Sequence, residues 1–295
     1  MNSSPQRPFT VSQSVYPFDP NWFERNGSFL HYLDEGEGLP VLMLHDTPAW
    51  SFLHRKVIKQ LSGSCRSIVP DLPGFGFSDH PPDYDYTPQE HAEWVNTLID
   101  HLSLDSFILV VHDWGGPIGM SIAVSRPDQI AGLVITNTWS WRPDYPVWRI
   151  FSAIFSSGLG KYLILRRNIL VGRMLPMMLT RSDVKTPEVL KAYRDPFPTP
   201  DSRIGLYAFP RALSTSDEWL DSIENNLHLL SDKPIELIIG KMDPFYPHEK
   251  IVAQWQKHFP RAAVDLVPDA GHFLEEESPE NVVEAIRRII DRQAS

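Results

Sequence analysis

The stretch Phe107-Ile-Leu-Val-Val-His-Asp-Trp-Gly-Gly116 constrains this chain more than any other. Its first five residues are apolar without a break, which predicts a strand buried on both faces and therefore a parallel sheet covered by helices. A helical pattern follows over 117–125. Between strand and helix stand Val111-His112-Asp113-Trp114-Gly115. That is the small-any-nucleophile-any-Gly form of a nucleophile elbow, a tight turn that raises its middle residue above the sheet. Here the middle residue is an aspartate and the small position holds Val111. An Asp before a helix also serves as a helix cap, so residues further along must decide between the two roles.

The same alternation recurs on both sides of this stretch. Apolar runs at 41–44, 67–70, 132–136, 235–239 and 263–267 predict further strands. A helix is expected from Pro88, with Thr87 as its cap and Glu90 completing a capping box. Helices are also expected over 248–258 and from Pro279, after a Ser278 cap. From about 139 to about 230 there are helical segments and many prolines but no strand pattern. The expected architecture is an α/β core built from 1–138 and 231–295, with a helical cap, 139–230, inserted over the carboxyl ends of the strands. Open α/β sheets bind their ligands at those ends.

Two later residues stand where an elbow needs partners. Asp243, in Gly240-Lys-Met-Asp-Pro244, follows the strand at 235–239. His272, in Asp269-Ala-Gly-His-Phe273, follows the strand at 263–267. Nucleophile, acid and histidine thus appear in the order that α/β-hydrolase sheets require. Each residue alone has a bland reading as a turn or loop residue. Together they favour a triad of Asp113, Asp243 and His272.

These motifs resemble those of the haloalkane dehalogenase family within the α/β-hydrolase superfamily, from about residue 26 to the C-terminus. The carriers include Leu44-His-Asp-Thr-Pro48, Asp71-Leu-Pro-Gly-Phe-Gly-Phe-Ser78, Asn137-Thr-Trp139 and the cap segment Tyr193-Arg-Asp-Pro-Phe-Pro-Thr-Pro-Asp-Ser-Arg203, besides the three motifs above. The resemblance implies hydrolytic dehalogenation of haloalkanes to alcohol and halide. Asp113 would attack, His272 would be the base, Asp243 its partner and Trp114 a halide-binding indole. Backbone N–H groups of Trp114 and Thr47 would stabilise the oxyanion, with no organic cofactor.

Elementary chemistry agrees. A serine attacking an sp³ carbon forms an ether, which water does not readily cleave. An aspartate forms an ester, which water reopens at the carboxyl carbon. Carboxylates are ionised near neutral pH without help, so His272 is free to activate water afterwards. The chain departs from the family in one loop. Where relatives carry His-Gly-Asn-Pro, this sequence has Asp46 and Thr47. Thr47 has a shorter reach than Asn for a second halide contact, and Asn137, Trp139, Trp141 and Trp148 are the alternatives. Asp46 is expected to stand for Gly because Asp tolerates positive φ.

An epoxide hydrolase would share the Asp elbow and needs acidic tyrosines from the cap, for which Tyr145, Tyr162, Tyr193 and Tyr207 are candidates. A ligand receptor or a luciferase-like relative is a further alternative, and an intact triad weighs against a pure receptor, since binding alone needs none. The net charge of −10 argues against nucleic acid. Eleven scattered histidines without a metal-ligand spacing predict no metal. Gly74-Phe-Gly76 lacks the third glycine of a dinucleotide loop. The apolar stretch 147–179 holds too many arginines to cross lipid. A single cysteine, Cys65, and a polar, Pro-rich N-terminus without an apolar core predict a cytoplasmic protein. The expected partners are a small apolar substrate and a halide ion. No sequence feature specifies an oligomeric state.

Overall fold

The computed structural model describes residues 5–81, 83–143 and 145–293. Its apolar runs form one eight-stranded sheet. In chain order the strands are β1 Asn21–Arg25, β2 Ser28–Glu35, β3 Pro40–Leu44, β4 Arg66–Pro70, β5 Phe107–His112, β6 Ile130–Thr136, β7 Ile235–Gly240 and β8 Ala263–Val267. Across the sheet they run β1-β2-β4-β3-β5-β6-β7-β8. β2 is antiparallel to both β1 and β4, and all other pairs are parallel. β5 and β6 are buried along their whole length, as central strands with helices on both sides must be. β8 is one of the two edge strands, and its Val264 and Leu266 are exposed.

The helices that cover the sheet begin where their caps predict. Pro88–His101 opens with the full Thr87–Glu90 capping box. It packs on Gly115–Ser125, while Arg55–Leu61 packs on Pro279–Gln293. Between β6 and β7 the described residues hold helices and no strand, among them Pro146–Ser156, Gly158–Arg167, Pro187–Arg194, Ile204–Thr215 and Asp217–Asn226. Leu170–Met174 is a π-helical turn, a form frequent at functional sites. No helix among the described residues is long and apolar enough to cross a membrane.

The hairpin β1–β2 has no counterpart among the strands expected from the sequence, which began at residue 41. Its signal is Asn26-Gly27. Both residues have positive φ, 53° and 76°, and Arg25 pairs with Ser28. This is the two-residue Asn-Gly connection whose twist suits a hairpin.

The loop after β4 is organised by the buried carboxylate of Asp71. It accepts the backbone N–H of Ser51 at 2.7 Å and of Phe77 at 2.9 Å, and it meets His31 Nδ1 at 2.8 Å. A Cβ on Gly76 would stand 2.2 Å from that carboxylate, which is why the loop needs glycine there.

Candidate active site

Asp113 directly follows β5, with φ at +43°. A non-glycine residue in that region costs about 1–3 kcal/mol and persists only where its surroundings enforce it. The enforcement is close packing of the following helix. A Cβ on Gly115 would meet the carbonyl oxygen of Leu44 at 2.6 Å, and one on Gly119 would meet Val111 Cγ1 at 2.5 Å. Gly119 therefore makes the room that a small residue at 111 normally provides. The helix starts from Trp114 with no side-chain cap, so capping does not explain Asp113.

Two loops bring the partners to it. His272 Nδ1 lies 2.8 Å from Asp243 Oδ2. The other oxygen of Asp243 accepts the backbone N–H of Phe245 at 2.8 Å and of Tyr246 at 3.3 Å. Asn137 holds the histidine loop from behind. Its amide donates to the carbonyls of Gly271 (2.8 Å) and His272 (2.9 Å), and its oxygen accepts from Gly240 N at 2.9 Å. All hydrogen-bonding groups of the Asn137 side chain are thereby engaged, which removes Asn137 from the candidate halide donors.

Electrostatics couple these groups. Burial raises the Asp113 carboxyl above the ordinary value. His272, the Tyr246 hydroxyl and the Trp114 backbone N–H pull it back. Burial alone would lower His272, but the charge and hydrogen bond of Asp243, then the charge of Asp113, lift it to about 9. Tyr246 donates its hydroxyl to Asp113 Oδ1 and stacks on the His272 ring at 5.5 Å. Nothing in the sequence singled out Tyr246. It stands in an aromatic run after Asp243-Pro244, and only the folding of that loop turns it toward Asp113.

Asp46 is fully buried, and neither of its carboxyl oxygens has a hydrogen-bond partner. It does not have positive φ, so backbone conformation is not the reason for an Asp there, contrary to the expectation from sequence. Burial first, then the charge of Asp113, pushes its carboxyl well above the ordinary range, against the pull of His272. Ligand atoms of Asp46, His112 and His272 lie within 4.8 Å of one another.

A cavity of about 80 Å³ opens on Asp113 and His272. Its walls are almost wholly apolar, with Thr47 and Trp114 from the sheet side and Trp139, Leu170, Met174 and Leu213 from the inserted segment. The tryptophans separate clearly. Trp148 lines the cavity, but its indole donates to the carbonyl of Phe245 at 2.9 Å. Trp141 packs edge-on against Trp255 instead. Trp139 lies edge-on to Trp114, 5.0 Å between ring centres, and its buried indole N–H has no partner. The Thr47 hydroxyl is likewise buried without a partner, beside a cis Thr47–Pro48 bond. Tyr145, Tyr162, Tyr193 and Tyr207 do not line this cavity. Tyr193 donates to Glu276 and Tyr207 to the carbonyl of Ser156.

Residues 40–279 match the family model of the α/β hydrolase fold, which gives the class of protein that this sheet and elbow define. Haloalkane dehalogenase 2 of Mycobacterium tuberculosis is 35% identical over 279 residues, 94% of this chain and 97% of the relative. The cis-3-alkyl-4-alkyloxetan-2-one decarboxylase of Shewanella oneidensis is 31% identical over 290 residues, 94% of this chain and 90% of the relative. The crystal structure of haloalkane dehalogenase DbeA from Bradyrhizobium elkani superposes with a TM-score of 0.84 at 28% identity, covering 94% of this chain and all of that one. The chain belongs to the haloalkane dehalogenase family of the α/β-hydrolase fold.

Proposed function

We propose that this protein hydrolyses haloalkanes to an alcohol and a halide ion through an alkyl ester on Asp113. The observation that carries the reading is a carboxylate, held at φ +43°, facing an apolar cavity with the indoles of Trp114 and Trp139 in its wall. An indole N–H donates and cannot accept, so it suits an anion leaving in an apolar pocket. In the first step an Asp113 oxygen bonds to the substrate carbon while the carbon–halogen bond breaks. The halide departs toward Trp114. Trp139, with its unpartnered N–H, is the second donor we assign, and Thr47 belongs to the wall and the oxyanion site beside the Trp114 backbone N–H.

In the second step water adds to the ester carbon, with His272 as base and Asp243 stabilising the imidazolium. Forming the ester removes the negative charge of Asp113. That charge is one of those that raise His272 to about 9, so the histidine becomes easier to deprotonate just when a base is required. The helical segment 139–230 acts as a cap on a core of 1–138 and 231–295, since each supplies part of the cavity wall. A cytoplasmic location fits the lone buried Cys65.

The test is halide release from bromo- and iodoalkanes, run beside an epoxide and a cis-3,4-dialkyl oxetan-2-one. Stoichiometric halide and alcohol from the haloalkanes are expected. Turnover of the lactone or the epoxide without halide release would move the assignment to a carbon–oxygen bond. Absence of cap tyrosines from the cavity weighs against the epoxide.

A further inference from the structure

Asp46 and His112 have no part in the reaction as described so far, yet both point unpartnered polar atoms into the protein beside His272. Both oxygens of Asp46 and Nε2 of His112 are buried without a hydrogen bond. Such groups cost about 1–3 kcal/mol each when unpaired, and they occur together. Neither residue lines the substrate cavity, so they approach His272 from its interior side.

We propose that Asp46, His112 and His272 together hold the water that opens the Asp113 ester, with Asp46 as a hydrogen-bond donor to that water. One ligand atom from each of the three residues lies within 4.8 Å of the other two, a spread that one water with hydrogen bonds of about 2.8 Å can bridge. A tetrahedral zinc site asks for ligand atoms only about 3.4 Å apart, given bonds of about 2.1 Å.

Donors and acceptors also match. His112 Nδ1 faces the carbonyl of Thr136 at 3.2 Å and donates to it, so Nε2 is an acceptor. His272 Nδ1 donates to Asp243, so its Nε2 is an acceptor when the ring is neutral. Burial, the largest influence on Asp46, favours its neutral carboxyl, and a neutral carboxyl has a proton to donate. A water there gives one hydrogen to each histidine and accepts one from Asp46. One lone pair remains for the ester carbon of Asp113. When it attacks, the new C–O bond forms and the water proton passes to His272. The bond to the alkyl oxygen then breaks, and that oxygen takes the proton from His272 to leave as the alcohol. Asp113 loses its remaining proton to solvent.

This assignment rests on the dehalogenase reading, and the experiment separates the two. The full-length protein is mixed with 1-bromohexane in a rapid-quench instrument, and first-turnover bromide, steady-state bromide and intact protein mass are followed. Asp46→Ala is expected to release the first bromide at nearly the wild-type rate. It then stalls as an alkyl-enzyme, with the second step slowed roughly 100-fold, as loss of positioning implies. Asp46→Asn keeps a donor and is expected to restore the second step to within about threefold. His112→Phe should slow the same step as Asp46→Ala. An Asp46→Ala variant that hydrolyses its ester at the wild-type rate, or that loses both steps alike, overturns the proposal. So does Asp46→Asn as slow as Asp46→Ala, which would make an ionised carboxylate the working form. A stoichiometric metal in the purified protein would also overturn it. No bromide release by the wild type would defeat the dehalogenase reading and this assignment with it. Turnover by the wild type without stalling in Asp46→Ala would defeat only the water site.

Discussion

The two sides of the cavity are built on different principles. On the sheet side, each reacting group is fixed by polar contacts to backbone. Asp243 takes two N–H groups, and Asn137 ties the histidine loop to β7. On the helical side, Leu170, Met174, Met178 and Leu213 offer only apolar surface, and that segment exposes Ile150, Leu159 and Met177 to solvent. Glu277 links the two. It accepts Gly271 N beside His272 at 2.6 Å and Arg181 N of the helical segment at 2.7 Å. Directional bonds hold reacting atoms to fractions of an ångström, which chemistry needs. Apolar contacts tolerate changes of shape, which suits the selection of substrates by size. Substitutions on the sheet side should therefore change which step fails, and those on the helical side should change which substrate is preferred.

The largest effect is expected at Asp113. Asp113→Ala should abolish halide release, and intact mass should show no alkyl adduct on incubation with substrate. Measurable turnover in that variant would remove Asp113 from its role. Next comes His272→Phe, which should release one halide equivalent per site and then accumulate the alkyl-enzyme. A variant that turns over, or one that never forms the adduct, would break the division of labour between the two residues. Trp114→Phe keeps the ring and removes the donor. It should cost on the order of 2–4 kcal/mol of transition-state stabilisation, two to three decades in the first step, with the largest loss for chlorides.

Across the cavity the expectation is smaller and of another kind. Leu170→Ala or Met174→Ala should shift the preference between short and long alkyl bromides by roughly tenfold per methylene accommodated, with the single-turnover stoichiometry unchanged. A change in the stalled step instead would erase the contrast between the two sides. The smallest effect is expected for Tyr246→Phe. The tyrosine hydroxyl holds Asp113 down, so its loss should move the acidic limb of the first step to higher pH. A limb moved to lower pH, or left in place, would show that this hydrogen bond does not govern the nucleophile. For the second step the sign is opposite. The ionisation of His272 in the ester form should lie below the value of about 9 that the free enzyme has, because esterification removes the Asp113 charge.

Much of this site was legible along the chain because strand ends are marked locally. The apolar runs before Asp113, Asp243 and His272 specify buried parallel strands, and residues just past such strands share one edge of the sheet. The glycine after Trp114 was equally readable, as was the capping box at Thr87. The hairpin β1–β2 is marked along the chain by Asn26-Gly27, a turn signal without a long apolar run beside it. The choice among Asn137, Trp139, Trp141 and Trp148 was not readable, since each is a donor a few residues past β6 or in the helical segment. What separates them is whether a backbone carbonyl from a distant loop already occupies the N–H, as Phe245 does for Trp148.

The sequence by itself determined the alternation of strands and helices from residue 41 onward, the elbow, and the placing of Asp113, Asp243 and His272 just past strand ends. These depend on periodicity and on residue type at fixed offsets, both properties of short segments. The tertiary structure alone decided that Tyr246 reaches Asp113, that Trp139 keeps a free N–H in the cavity wall, and that Asp46 lies unpaired beside His112 and His272. Those contacts join residues separated by tens to more than two hundred positions. Their energies come from burial and from unmet hydrogen bonds, which exist only once distant segments have excluded water from around them.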